Sequence, residues 1–307
     1  MKLLIELPTW LGDCVMATGS IEKLIEKLNP KEVIVFGSFV STSLYKNHPK
    51  VTKIVIDNTK KGNRILNVLK VSKELKSDIG ITFRNHFFSK FLMFLSCKKF
   101  YYQKKDYQGH QVEKYNKFID DVLGMNLNIY FPKLYFTSFK YQKPTIGINP
   151  GATYGSAKRW YSEEFAKVAN ELGKKYNIII FGGSGEEEIA NDIEKNLSIT
   201  NYQNLCGKLT IQELCEKIGG LELLITNDSG PMHIAAAFGV KIVALFGPTK
   251  YKETSPYNTE YKIVTKNLEC SPCMKRECPL KHHECMKLIR ADEVIKASKE
   301  VLCLKQY

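Results

Sequence analysis

The sequence predicts two α/β domains of the Rossmann type, each a parallel sheet with helices on both faces. Three observations predict this. Short runs of Ile, Val and Leu alternate with helical patterns through most of the chain, which is the rhythm of buried parallel strands. The rhythm breaks between residues 126 and 144 and then restarts. The length, 307 residues, allows two domains at roughly 150 residues each. The expected division is an N-terminal domain over 1–140 and a C-terminal domain over 141–307, with a crevice between them.

In the first half, residues 2–7 read as a strand and 13–28 as a helix with Val15, Ile21, Leu24, Ile25 and Leu28 on one side. Residues 32–36 read as a strand, 41–47 as a short helix, 51–56 as a strand, 64–75 as a helix and 79–83 as a strand. Segment 87–102 mixes aromatics with lysines. That composition suits an interfacial membrane helix; its place inside the α/β rhythm suits a buried helix followed by an edge strand. Phe131-Pro132-Lys133-Leu134-Tyr135-Phe136 and Tyr141-Gln142-Lys143-Pro144 look like a connector. Beyond it, 145–149, 177–181, 221–225 and 241–246 read as strands, and 162–175, 186–196, 211–218 and 232–238 as helices. A final helix over 291–304 can pack on either domain.

Hydrophobic residues make up 44% and charged residues 25%, as in an ordinary soluble globular protein. The net charge of +13 fits a nucleic acid, an anionic membrane, a phosphorylated substrate or simply a solvated lysine-rich surface. No RNA- or DNA-binding motif accompanies it, which argues against nucleic acid. Met1-Lys2-Leu3-Leu4-Ile5 runs into a strand with no cleavage site, and no stretch reaches the ~18 apolar residues of a membrane span. A cytoplasmic protein is expected, with its nine cysteines mostly reduced.

Five constellations could carry chemistry. Pro8-Thr9-Trp10-Leu11-Gly12-Asp13 follows the first strand; Asp13 either caps the helix or faces the crevice as a general base. Asn149-Pro150-Gly151-Ala152-Thr153-Tyr154-Gly155-Ser156-Ala157-Lys158-Arg159-Trp160 follows a strand of the second domain. Its glycines, hydroxyls and Lys-Arg pair suit a diphosphate, although it lacks Walker A spacing; the plainer reading is a flexible loop with two solvated cations. Phe181-Gly182-Gly183-Ser184-Gly185-Glu186-Glu187 would let a ligand lie on the backbone, and its glutamates either hold ribose hydroxyls or stabilise a helix start. Thr226-Asn227-Asp228-Ser229-Gly230-Pro231-Met232-His233 joins an apolar strand to a small-residue helix, a place where free N–H groups favour phosphate. Finally, Cys270, Cys273, Cys278 and Cys285, with His282 and His283, form a segment that could hold a structural zinc. Its spacing matches no common finger, so reduced structural thiols are the alternative.

Together these blocks resemble the heptosyltransferases of glycosyltransferase family 9. The resemblance rests on Trp10-Leu11-Gly12-Asp13, Ala157-Lys158-Arg159-Trp160, Asn227-Asp228-Ser229-Gly230-x-Met232-His233 and the Cys270–Cys285 block, in the family's order. The Ala-Lys-Arg-Trp and Cys-Pro-x2-His-His parts lean to the second type, heptosyltransferase II. Tyr161 stands where the family usually has Pro, and Pro231 where an apolar residue is usual.

The resemblance implies a GT-B fold of two facing Rossmann-like domains and an inverting transfer from ADP-L-glycero-β-D-manno-heptose, with no cofactor or catalytic metal required. The acceptor it implies is the first heptose of a Kdo–lipid A core, at the inner face of the inner membrane. It makes Asp13 the base, with Trp10 and Gly12 on the acceptor side, and Lys158 a contact to donor phosphate. Asp228, Ser229, Gly230 and His233 would line the donor pocket, with Arg159, Thr153 and Glu186 as further donor contacts. Other family 9 types (I or III), a nucleotide-sugar epimerase, and a metal- or nucleic-acid-binding protein are the alternative readings.

Overall fold

The computed structural model describes residues 1–303. The chain divides into two compact units, Met1–Tyr135 and Phe136–Tyr307.

The first unit runs β1 (Lys2–Glu6), α1 (Leu11–Leu28), β2 (Glu32–Gly37), α2 (Phe39–Ser43), β3 (Lys53–Ile56), α3 (Arg64–Glu74), β4 (Ser77–Thr82), α4 (Phe87–Ser96), β5 (Cys97–Tyr102) and α5 (Gln111–Leu123). The strands form one parallel sheet in the order β3-β2-β1-β4-β5. The central strand β1 is buried from Leu3 onward, as its apolar Leu3-Leu4-Ile5 run requires. Helices α3 and α4 pack together, and their inner residues Val68, Leu92 and Met93 cluster with Leu4, Ile34 and Phe36 of the sheet. Helix α1 packs on α5, and a buried ion pair from Lys23 to Asp120 (2.9 Å) joins them.

The second unit runs β6 (Thr145–Asn149), α6 (Ser162–Leu172), β7 (Asn177–Ile180), α7 (Glu187–Lys195), β8 (Tyr202–Asn204), α8 (Ile211–Gly219), β9 (Leu223–Asn227), α9 (Gly230–Ala237), β10 (Lys241–Phe246), α10 (Tyr251–Thr254), β11 (Tyr261–Thr265), α11 (Glu284–Lys287) and α12 (Ala291–Cys303). The sheet is again parallel, in the order β11-β10-β9-β6-β7-β8. Helix α12 packs on α6 and on strands β9 to β11, which places the final helix in this unit. Residue 304, expected at its end, lies outside the described residues. Among the described residues no helix is long and apolar enough to cross a membrane.

Each sheet reverses its strand order beside its first strand. In the first unit the chain moves outward through β2 and β3, then returns to lay β4 on the other side of β1. In the second it moves through β7 and β8, then returns to lay β9 beside β6. The loops that leave the carboxyl ends of these strand pairs run apart, and ligands of open α/β sheets bind at such points. The Trp10-Leu11-Gly12-Asp13 segment follows β1; the segments from Pro150 and from Asp228 follow β6 and β9.

Segment 87–102 forms a helix and then an edge strand, as the α/β rhythm requires. The sequence reading did not anticipate α5, β8 or β11. Helix α5 opens on an unusual cap: His110 accepts from the Val112 N–H, and the Glu113 side chain reaches back to the His110 N–H. Strands β8 and β11 are edges, so one side of each lacks the apolar pairing that marks a central strand.

Gly19 lies inside α1, where a Cβ would overlap the backbone carbonyl oxygens of Tyr130 and Phe131. In an open helix interior Gly→Ala stabilises by about 1 kcal/mol. Here Gly19→Ala is expected to lower the unfolding free energy by about 2 kcal/mol. Urea unfolding of the full chain measures this, and a raised midpoint would contradict the packing described.

Candidate active site

In the second unit, side chains cross-link the two sides of the β6/β9 switch. Asn149, the last residue of β6, donates from Nδ2 to Thr226 Oγ1 (3.2 Å) and to Ser229 Oγ (3.0 Å). Asn227, the last residue of β9, donates from Nδ2 to the Pro150 carbonyl (2.6 Å). Lys158 donates from Nζ to Asp228 Oδ2 (2.6 Å) and to the Asp228 carbonyl (3.2 Å). Thr249, in the loop after β10, donates to the same Asp228 oxygen at 2.7 Å. Asp228 is buried, and Lys158 nearly so, with its ammonium also 4.8 Å from the Tyr154 ring centroid. These bonds use two of the three N–H donors of the ammonium.

Helix α9 starts with Ser229 at its cap position, yet the Ser229 side chain makes no capping bond and is instead held by Asn149. Pro231, a departure from the resemblance noted above, sits in the first turn of α9, where its missing N–H costs no helical bond. His233 is buried in the same helix. Glu186 precedes α7, is buried, and accepts from the Gly183 N–H through Oε2 (2.8 Å). Its carboxylate lies against Gly151, where any Cβ would overlap it. Three polar atoms in these segments are buried without a hydrogen-bond partner among the described residues: Glu186 Oε1, Asn227 Oδ1 and Arg159 Nε. Orphaned groups of this kind cost free energy unless a ligand or water completes them.

The cysteine segment supports the 150–160 loop from outside. Ala157 donates its N–H to the Arg276 carbonyl (3.0 Å), and Tyr154 its hydroxyl to the Met274 carbonyl (3.1 Å). His283 Nε2 lies 2.8 Å from the Ala157 carbonyl, and its Nδ1 lies 3.2 Å from the Tyr161 hydroxyl. Tyr161, the other departure from the resemblance, thereby joins this support. The structure does not show the structural zinc expected at Cys270, Cys273, Cys278 and Cys285. Among the described residues no three His, Cys, Asp or Glu side chains are placed to hold a metal ion. All four thiols are unbridged. Burial, with the neighbouring thiols adding to it, pushes the Cys285 thiol up to about 11.

In the first unit, Trp10 occupies the cap position of α1 and makes no side-chain capping bond. Asp13 therefore does not occupy the cap position; it lies in the first turn, partly exposed, where its charge suits the macrodipole. Tyr115 of α5 donates its hydroxyl to Asp13 Oδ1 at 3.2 Å, and the Tyr115 ring packs edge-on against Phe83. Burial first, and the Asp13 charge second, hold the Tyr115 phenol far above its ordinary pKa, so it remains a donor. Trp10 is 48% exposed. Beneath this turn lies a buried ionic cluster. Glu6, at the end of β1, accepts from Thr82 Oγ1 (2.6 Å) and Ser89 Oγ (2.8 Å). Arg84 donates from Nε to the Leu7 carbonyl (2.8 Å) and from Nη1 to Asp57 (2.9 Å). Burial raises the Glu6 pKa against the lowering effect of Arg84 and the two hydroxyls. These bonds tie the loop after β1 to the loop after β4.

The family profile described as glycosyltransferase family 9 (heptosyltransferase) matches residues 74–284. A curated relative, lipooligosaccharide heptosyltransferase 2 of Campylobacter jejuni subsp. jejuni serotype O:2, is 43% identical over 98% of both chains. The chain belongs to glycosyltransferase family 9. Two solved structures share the fold of this family 9 enzyme. A family 9 protein of Veillonella parvula superposes with a TM-score of 0.85 at 20% identity, over 98% of this chain and 97% of the other. The ADP-heptose heptosyltransferase II of Escherichia coli superposes with a TM-score of 0.82 at 22% identity, over 98% of both chains. The expected GT-B class, two parallel-sheet Rossmann-like domains, is the fold observed.

Within this family 9 enzyme the fold joins Lys158 to Asp228 and sets Ser229, Gly230 and Glu186 on the segments around them. Thr153 is exposed on its loop and takes part in none of these bonds. Asp13, Trp10 and Gly12 form a separate group in the first unit. Four residues that shape the two groups escaped the sequence reading: Tyr115, Arg84, Glu6 and Thr249. A signal for Tyr115 was present, because Val112, Tyr115, Phe118 and Ile119 follow helical spacing. Thr249 follows the apolar strand β10 directly, in the Gly247-Pro248-Thr249 turn. Glu6 and Arg84 carry no local pattern, since only the pairing of β1 with β4 brings them together.

Proposed function

We propose that this enzyme transfers L-glycero-D-manno-heptose from ADP-L-glycero-β-D-manno-heptose to the first heptose of a Kdo–lipid A inner core, with inversion at the anomeric carbon. The observation that carries this reading is the full-length likeness to a lipooligosaccharide heptosyltransferase 2. In this reading the second unit binds the donor and the first binds the acceptor. The acceptor is anchored by its lipid, so the enzyme works peripherally at the inner face of the inner membrane.

Asp13 takes the proton of the acceptor hydroxyl as that oxygen attacks the anomeric carbon. The bond from that carbon to the ADP oxygen breaks, and ADP leaves with the electron pair. General base catalysis of this kind contributes ~10²–10⁴-fold. The negative charge growing on ADP meets the remaining N–H of Lys158, the Arg159 guanidinium and the start of α9. These charges do the work of a divalent cation, so the transfer proceeds without one. The orphaned Glu186 Oε1 accepts from a ribose hydroxyl, with Gly151 leaving room beside it. Thr153, His233, Ser229 and Gly230 complete the donor contacts.

The test is incubation of purified protein with ADP-heptose and defined truncated cores, followed by mass spectrometry. The expected product gains one heptose on a core that already ends in its first heptose. Transfer only to a heptose-free Kdo–lipid A core would assign the first type instead. Asp13→Asn is expected to cut kcat by about 10²-fold or more while ADP binding survives. Near-normal turnover in that variant would contradict the base role.

Tyr115 sets a pH dependence of known sign. Its donated hydrogen bond favours the ionised Asp13, so its removal raises the carboxyl pKa. A base with a raised pKa is ionised only at higher pH. Tyr115→Phe should therefore move the acid limb of the kcat/KM profile upward, by up to about one pH unit. An unmoved or lowered limb would show that this bond does not tune the base.

A further inference from the structure

We propose that the outer face of α3 and α4 docks on an anionic lipid bilayer; this rests on the reading that the acceptor is held in a membrane. Helix α4 is apolar on both its inner and its outer side. Its inner side carries Ser89 and Ser96, both buried, beside Leu92 and Met93; Phe87 and Phe94 stand exposed on the other side, with Phe91 half-buried between them and packed on the core cluster. These three recur at i, i+4 and i+7, one helical face. Phe87 is 71% and Phe94 70% exposed, and the Phe87 ring stacks on Phe91. On α3, which packs on α4, Ile65, Leu66 and Leu69 are exposed, while Val68 and Ser72 are buried. A helix pair that leaves Phe87, Phe94, Ile65, Leu66 and Leu69 exposed presents an apolar surface on its outer side.

The charge around this face selects the environment. Lys60 and Lys61 precede α3, and Lys70 and Lys73 lie on it; all four are exposed and form no ion pair among the described residues. Arg64 sits over the Phe88 ring at 3.9 Å, so a cation also lies at the seam between the helices. The acidic neighbours are already matched, Glu74 by Lys53 and Asp57 by Arg84. An apolar stripe flanked by unmatched lysines is the pattern of an interfacial surface on anionic lipid. The lysine-rich stretch after α4 is less available than its composition implied. Lys98 pairs with Asp78 and Lys105 with Asp121, while Lys99 and Lys104 lie over Tyr101 and Tyr102.

Cosedimentation of the full chain with vesicles tests the proposal. Binding is expected to phosphatidylcholine vesicles containing phosphatidylglycerol, weakening with salt, and to be much weaker on phosphatidylcholine alone. Phe87→Ser with Phe94→Ser should reduce vesicle binding about tenfold or more, with kcat on a delipidated, soluble core unchanged. Lys70→Glu with Lys73→Glu should also lose the preference for anionic lipid. Wild-type vesicle binding by the phenylalanine variant would overturn the proposal. So would self-association of the wild type through this face, with no vesicle binding, because a second copy would then be its occupant. Vesicle binding without heptose transfer to the soluble core would overturn the transfer reading and leave the docking surface standing.

Discussion

Both candidate sites exist because each parallel sheet reverses its strand order beside its first strand. Two loops must then part at the carboxyl ends of β1 and β4, and two more at those of β6 and β9. A loop in such a place can be polar because it lies beyond the sheet's covered faces. Its residues can also be brought near one another from distant parts of the chain. Arg84 reaches Leu7 and Glu6, and Lys158 reaches Asp228, only through this arrangement.

In the second unit the open switch is held in shape by a small set of bonds. Asn149 and Asn227 stitch opposite loops, and Asp228 holds Lys158 with help from Thr249. A partly buried ammonium needs such a partner, because an unpaired one is strongly penalised. In the proposed mechanism the same pairing fixes the cation where an anionic leaving group uses it without reorganisation at the moment of reaction. The cysteine segment acts on this loop from the other side, through backbone contacts at Arg276 and Met274 and the ring of His283. In the proposed mechanism the first unit plays the complementary part. Tyr115 donates a hydrogen bond to the Asp13 carboxylate, and the Glu6–Arg84 cluster secures the turn on which Asp13 sits.

Much of this was legible in the sequence, for identifiable reasons. Central strands such as Thr145–Asn149 and Lys241–Phe246 are buried along their whole length, and their inner residues (Ile146 to Ile148, Ile242 to Phe246) form short apolar runs. The motif residues were legible because they sit directly after those strands. Edge strands β8 and β11 lack the signal because only part of their surface is buried. Helix α5 was missed because its first turn is capped by histidine and its sequence is largely polar. Tyr115 went with it. Glu6, Arg84 and Thr249 depend on contacts between strands or loops that no local spacing encodes. The cysteine block carries a suggestive metal spacing, and in the fold its segment braces a neighbouring loop.

The central claim is that Lys158, positioned by Asp228, is the cation that receives the donor's diphosphate. Calorimetric titration of Lys158→Met with ADP and with adenosine tests it most directly. The account predicts that ADP binding weakens by roughly 10–100-fold, the value of a hydrogen bond to a charged group, while adenosine binding is kept. Unchanged ADP affinity in this variant would contradict it.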